Sequence, residues 1–145
     1  MSEQVTISPI DNKPFVAVPL ATSEQVEDII ERSKKAFLSW KRVPVRERAT
    51  IVSKFVDAFV AKKAEIAKEL TMQMGRPIRY TEGEINGTAE RAKYMVSIAE
   101  ESLKDVEIED SSKPGFRRFI RKEPLGPVLI IAAWNYPYLI SVNGV

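Results

Sequence analysis

The sequence predicts an α/β fold of which this chain carries only a part, and three observations lead there. Apolar residues recur at helical spacing from about residue 22 to residue 103. Beyond residue 115 the period changes, and Val128 to Ala133 is apolar on both faces, as in a strand buried within a parallel sheet. That strand is the one that reads as central, and a single buried strand leaves its backbone groups unpaired. At 145 residues the chain has the length of one ordinary domain, but its sheet reads as cut in the middle.

The elements follow in order. Val5 to Leu20 is short and β-prone, with Pro9, Asp11, Asn12, Lys13 and Pro14 supplying turn chemistry, which predicts a loose hairpin. Thr22 fits a helix N-cap with Gln25 as its capping-box partner, and Glu24, Glu27 and Asp28 suit the positive end of the helix. Val26, Ile29, Ile30, Ser33, Phe37 and Trp40 then form one stripe, which Val43-Pro44 ends. From Val45 a second helix, expected to be the longest element, carries Ala49, Val52, Phe55, Val56, Phe59, Ile66, Ala67, Leu70 and Met74 on one side. Gly75 can take the left-handed position after it, and Pro77 forbids continuation.

A third helix is expected from about Thr81 to Leu103, through Ile85, Ala89, Ala92, Met95 and Ala99. Gly83 and Gly87 cost that helix roughly 1 kcal/mol each relative to alanine, so its first turns are either loosely held or closely packed. Lys104 to Gly115 is acidic and polar and reads as a connection. Phe116 to Lys122 mixes aromatic and β-branched residues with arginine, the pattern of an exposed strand.

Composition removes whole classes of chemistry. Hydrophobic residues make up 44% and charged residues 29%, which fits neither a disordered tail nor a membrane protein. The longest apolar run, Val128 to Trp134, is far short of the ~20 residues a bilayer requires. Without cysteine the chain has no disulfide, thiolate zinc site or thiol nucleophile, and without histidine it has no Ser-His-Asp triad and no imidazole ligand. No metal site is expected. A net charge of +2 does not argue for nucleic acid, and residues 1 to 20 do not resemble a secretory signal, so a cytoplasmic location is the expectation.

The stretch Glu123-Pro-Leu-Gly-Pro-Val-Leu-Ile-Ile-Ala-Ala-Trp-Asn-Tyr-Pro-Tyr138 carries the most chemical information. It sets Asn135 at the carboxyl end of the expected strand, which is where open α/β sheets bind ligands. An asparagine held there can aim its amide at a developing oxyanion; alternatively Asn135 only makes a turn and Trp134 only fills the core. The basic and aromatic run Phe116 to Lys122 suits either a surface for nucleic acid or an acidic partner, or an exposed edge protected by charge. Glu82, Glu84 and Glu90 do not share one helix face and read as a solvated surface rather than a metal or acid-base cluster.

The segment from Glu123 to Pro137 resembles the aldehyde dehydrogenase superfamily, in which a Pro-Leu-Gly strand leads into Trp-Asn-aromatic-Pro. Upstream, Asp11-Asn12-Lys13, the helix ending at Trp40, Arg46-Glu47-Arg48-Ala49 and Met74-Gly75-Arg76-Pro77 are similar in order. Ala133, where many members have proline, and Pro127, where valine is usual, depart from the pattern without removing a chemical group.

The resemblance implies the N-terminal part of that fold. Residues 1–112 would be the hairpin and helices of a Rossmann-like cofactor domain, 113–125 part of an oligomerisation β arm, and 126–145 its first central strand with the start of the next helix. It implies that Asn135 is the oxyanion-stabilising amide and that Ile131, Ala132, Ala133, Trp134 and Asn135 lie along NAD or NADP. The activity implied is oxidation of a small aldehyde to a carboxylic acid through a cysteine thiohemiacetal, in a homo-oligomer, dimer or tetramer, without nucleic-acid or membrane partners.

The catalytic cysteine, the general-base glutamate and the glycine-rich cofactor segment of the family have no counterpart here, so residues 1–145 alone are expected to be inactive and to depend on the remainder of a dehydrogenase chain. The rival reading is a non-catalytic interaction module that pairs through its 116–122 strand.

Overall fold

The computed structural model describes residues 2–109 and 115–145. Glu3–Ile7 (β1) and Pro14–Pro19 (β2) form the expected hairpin, antiparallel with Val5 opposite Ala17 and a bulge between Thr6 and Ile7. The Ser8 N–H donates to the Lys13 carbonyl and the Ser8 carbonyl accepts from Asn12, each at 2.8 Å. Asn12 closes the turn at φ 58°, a left-handed conformation that asparagine enters more readily than most residues.

Helix α1 spans Ser23–Trp40 and begins with the predicted capping box. The Thr22 hydroxyl accepts from the Gln25 N–H at 3.3 Å, and Gln25 Oε1 accepts from the Thr22 N–H at 2.9 Å. The stripe of α1 is present but buries nothing fully: Ser33 and Phe37 are half-buried, and Val26, Ile29 and Ile30 remain exposed.

The single long helix expected from Val45 to Met74 is instead two, α2 over Val45–Ala61 and α3 over Lys63–Met74, joined at Lys62 with φ −95° and ψ 14°. The reason lies in the stripe itself. Three and four residues beyond Phe59 stand Lys62 and Lys63, which an unbroken helix would turn toward the core. The break frees Lys63, whose ammonium lies 3.2 Å from Glu82.

Gly75 ends α3 in the left-handed conformation, φ 80°, as expected. It is constrained twice, since a Cβ there would stand 2.9 Å from Pro9 Cγ, where the hairpin turn closes on the helix end. Helix α4, Ile78–Leu103, is the longest element and starts three residues earlier than expected, directly after Pro77.

α4 is the spine of the molecule. Against it pack α2, α3 and a short helix α5, Pro137–Ser141, which runs on into a 3-10 turn at Val142–Gly144. One core cluster joins Val56, Ala89, Ala92 and Val142; the other joins Phe59, Ala67, Leu70 and Ile85, with Met74 and Tyr138 against it. Gly87 faces Leu139, with 3.8 Å between the site of an added Cβ and Leu139 Cδ1, an ordinary contact that a methyl group could make. Nothing lies within 4 Å of the corresponding point at Gly83.

The connection expected at residues 104–115 holds a strand, Val106–Glu107 (β3), which pairs antiparallel with Phe119–Ile120 (β4). The exposed strand expected over Phe116 to Lys122 is thus shortened to two residues. Its basic side chains are paired locally: Arg117 with Glu107, Arg121 with Asp105 at 3.2 Å, and Lys122 with the Ser102 carbonyl. The polar tract 111–114, and with it the boundary expected between residues 112 and 113, lies outside the described residues.

Residues 128–133 do not form the buried strand expected of them. Val128 is 71% and Ile131 83% exposed. A parallel strand exists by virtue of its neighbours, and no described segment supplies one. Ile130 approaches Gly144, its Cδ1 2.8 Å from where a Cβ on that glycine would sit, and Ala133 is half-buried. Among the described residues no helix is long and apolar enough to cross a membrane.

Candidate functional site

Where α3 ends, Gly75 turns the chain and Pro77 starts α4, leaving Arg76 between two helices. Its guanidinium Nη1 donates to Glu84 Oε2 at 2.7 Å, and the two side chains are 13% and 0% exposed. A carboxylate so placed is tolerable only when paired and hydrogen-bonded. Glu84 meets both conditions, because its other oxygen, Oε1, accepts the backbone N–H of Tyr138 at 2.9 Å and that of Leu139 at 3.4 Å.

Those two N–H groups belong to the first turn of α5, which has no side-chain cap of its own and carries Pro137 at its start. Proline brings no N–H, so Glu84 satisfies the next two orphan donors from a helix more than fifty residues away in sequence. The expectation that Glu82, Glu84 and Glu90 form a solvated face is therefore corrected at Glu84. Glu90 is exposed and Glu82 pairs with Lys63.

Arg76 also reaches forward. Its Nη2 donates to the Asn135 carbonyl at 3.0 Å, and its guanidinium carbon lies 3.8 Å from the centroid of the Tyr136 ring. Both cation–π and planar stacking favour that geometry. One ion pair thus holds the backbone of Asn135, the ring of Tyr136 and the start of α5. Downstream, Asn143 accepts from Arg91 at 2.9 Å and donates to the Leu139 and Ile140 carbonyls, fastening the far end of α5 to α4. Tyr138 packs its ring 5.1 Å from that of Phe59. Burial, with Glu69 and Glu84 nearby, pushes its phenol above the ordinary tyrosine value.

The sequence-predicted residues form a continuous strip on the open side of this brace. Ile131 and Ala132 are exposed, Ala133 is half-buried, and Trp134 is 79% exposed. Asn135 is exposed as well, and among the described residues nothing hydrogen-bonds its side-chain amide. An unengaged amide on a braced backbone can donate to an incoming negative charge. Trp134 does not fill the core.

The strip suits the flat, weakly polar part of a dinucleotide, since the two alanines carry nothing beyond Cβ and Ile131 and Trp134 flank them with open apolar surface. No lysine, arginine or glycine turn lies within it to take a pyrophosphate, so these residues could hold only one end of such a ligand. Among the described residues no three His, Cys, Asp or Glu side chains form a group that could hold a metal. A cavity of about 270 Å³ between α2 and α4 is lined chiefly by apolar residues such as Val52, Phe55, Ala92, Met95 and Val142, with Arg48 and Ser102 as its polar members.

Arg76 and Glu84 were not among the predicted site residues. Their signals were present, Arg76 within Met74-Gly75-Arg76-Pro77 and Glu84 as a carboxylate one residue before the apolar Ile85, but neither signal names its partner.

Known proteins resemble this chain over most of its length. The chain is 27% identical over 135 residues to 3,6-anhydro-alpha-L-galactose dehydrogenase of Vibrio sp., covering 93% of this chain and 28% of that protein. It is 28% identical over 132 residues to the NADP(+) succinate-semialdehyde dehydrogenase of Deinococcus radiodurans, covering 91% and 27%. The structure superposes on that of NADP-dependent glyceraldehyde-3-phosphate dehydrogenase from Bacillus halodurans, solved with NADP, with a TM-score of 0.88 at 23% identity, over 97% of this chain and 30% of that one. The chain therefore spans less than a third of the length of these proteins. Residues 2–145 match the model of the aldehyde dehydrogenase family, and the chain belongs to that family as its N-terminal part.

Proposed function

We propose that this chain provides the oxyanion-binding amide and part of the cofactor floor of an NAD(P)-dependent aldehyde dehydrogenase that oxidises a small aldehyde to a carboxylic acid. The observation that carries the reading is the Trp134 to Pro137 turn, held from behind by Arg76 and Glu84 while the Asn135 amide stays unengaged. The 145 residues contain no cysteine, so the nucleophile comes from the remainder of the dehydrogenase chain.

When a thiolate adds to the aldehyde carbonyl, negative charge collects on oxygen, and a fixed neutral donor lowers the energy of that state. Asn135 Nδ2 is such a donor, and it serves again when the thioester is attacked by water. Ile131, Ala132, Ala133 and Trp134 would hold the nicotinamide end of NAD or NADP and keep water from its face. The chemistry that a bound nicotinamide supplies is acceptance of a hydride.

The β3–β4 arm, with Phe116 and Ile120 exposed, would pair with another subunit in a dimer or tetramer, and the exposed 128–133 segment would pair with strands from the rest of the chain. A cytoplasmic compartment belongs to the same reading. Asn135→Ala in the complete enzyme should lower kcat by about 10²- to 10³-fold, the usual loss for one oxyanion donor. A kcat within a few-fold of wild type would remove Asn135 from this role.

A further inference from the structure

We infer that Arg76 and Glu84 are positioning residues for Asn135, setting where its amide stands before any charge develops. The inference rests on the reading of Asn135 as the oxyanion donor. The Asn135 side chain has no hydrogen-bond support of its own among the described residues, so its placement must come through its backbone. Three constraints act there, and all lead to the same ion pair. Arg76 Nη2 holds the Asn135 carbonyl at 3.0 Å, the same guanidinium covers the Tyr136 ring at 3.8 Å, and Glu84 Oε1 holds the N–H groups of Tyr138 and Leu139.

The pair is also shaped for the task. Glu84 is fully buried and anchored in α4, so it fixes Nη1 of Arg76 at 2.7 Å and thereby orients the planar fork that presents Nη2 to Asn135. A lysine at 76 could keep the charge but not both directions at once. Oxyanion stabilisation depends on donors already in place, and a misplacement of about 1 Å can cost on the order of 10² in rate.

The test is a mutant cycle on the complete dehydrogenase, with Arg76→Lys, Asn135→Ala and the double variant compared for kcat, KM and melting temperature. We expect Arg76→Lys to fold, to lose about tenfold or more in kcat with KM little changed, and to lose almost nothing further when Asn135 is already alanine. Glu84→Gln, which keeps an acceptor for α5 but not the charge facing Arg76, should fall in the same direction.

If Arg76→Lys costs the same factor in the Asn135→Ala background as in wild type, or leaves kcat within two-fold, the positioning role is overturned while the oxyanion role of Asn135 stands. If Asn135→Ala itself leaves kcat unchanged, the reading beneath the inference fails and the inference fails with it. Should Arg76→Lys not fold, Tyr136→Leu removes the stacked ring without touching the ion pair. The same cycle then applies, with the same outcomes deciding.

Discussion

Glu84 Oε1 accepts the backbone N–H of Tyr138 at 2.9 Å, so that a carboxylate in the first third of α4 caps a helix that starts more than fifty residues later. The bond joins the helical half of the molecule to the turn bearing Asn135. It also makes Glu84 costly to alter, because its removal strands Arg76 with 13% exposure and no counter-charge at Nη1. Glu84→Ala should destabilise the folded protein by about 3–5 kcal/mol, the range for breaking one side of a buried pair. Glu84→Gln should cost less, since it retains an acceptor for the α5 N–H groups. Urea unfolding followed by the fluorescence of Trp40 and Trp134 measures both, and equal costs would show that the charge matters more than the cap.

Gly75 carries two constraints that one cycle can separate. Gly75→Ala forces a side chain into φ 80° and sets its Cβ 2.9 Å from Pro9 Cγ. The backbone part alone is worth about 1–3 kcal/mol. Pro9→Ala removes the offending Cγ, so in that background the cost of Gly75→Ala should shrink toward the backbone part and no further. A cost that vanishes entirely would mean that the left-handed conformation had not been maintained by this site.

Tyr138 supplies a pH dependence. Its phenol is raised above the ordinary value by burial first and then by Glu69 and Glu84, so the folded state holds this proton more tightly than the unfolded state. The stability contributed is complete below the unfolded value of about 10 and is lost as pH rises through the folded value. Tyr138→Phe should therefore flatten the decline in stability above pH about 10 while leaving the neutral range nearly unaffected. Identical slopes above that pH in wild type and variant would contradict the assignment.

Thr22→Ala removes one half of the capping box and should weaken α1 by about 1 kcal/mol. Because α1 has no fully buried residue, the loss should appear as faster amide exchange over residues 23–30 rather than as a lower global melting temperature. A global shift would mean that α1 is coupled to the core more firmly than its exposure indicates.

Some features of this chain are legible without coordinates because their causes lie within a few residues. The Thr22–Gln25 box, the stop at Gly75 and Pro77, and the turn around Asn12 each depend on local hydrogen bonds or local φ preferences. The break at Lys62 was hidden, because the apolar residues on either side of the two lysines at Phe59's next turn read as one stripe. Asn135 and its neighbours could be named as candidates from order alone.

By itself, then, the sequence determined the hairpin, the capping box that starts α1, the stop at Gly75 and the family, and it named the strip from Ile131 to Asn135 as a candidate. Tertiary structure alone decided that Glu84 is buried rather than solvated, that Arg76 holds Asn135 and Tyr136, and that the apolar run 128–133 is left unpaired. The physical reason is range. Capping and turn chemistry act between residues a few positions apart, whereas the environment of a carboxylate and the pairing of a strand are set by whatever the folded chain brings alongside them, here Arg76 and α5 for Glu84 and no described strand for residues 128–133.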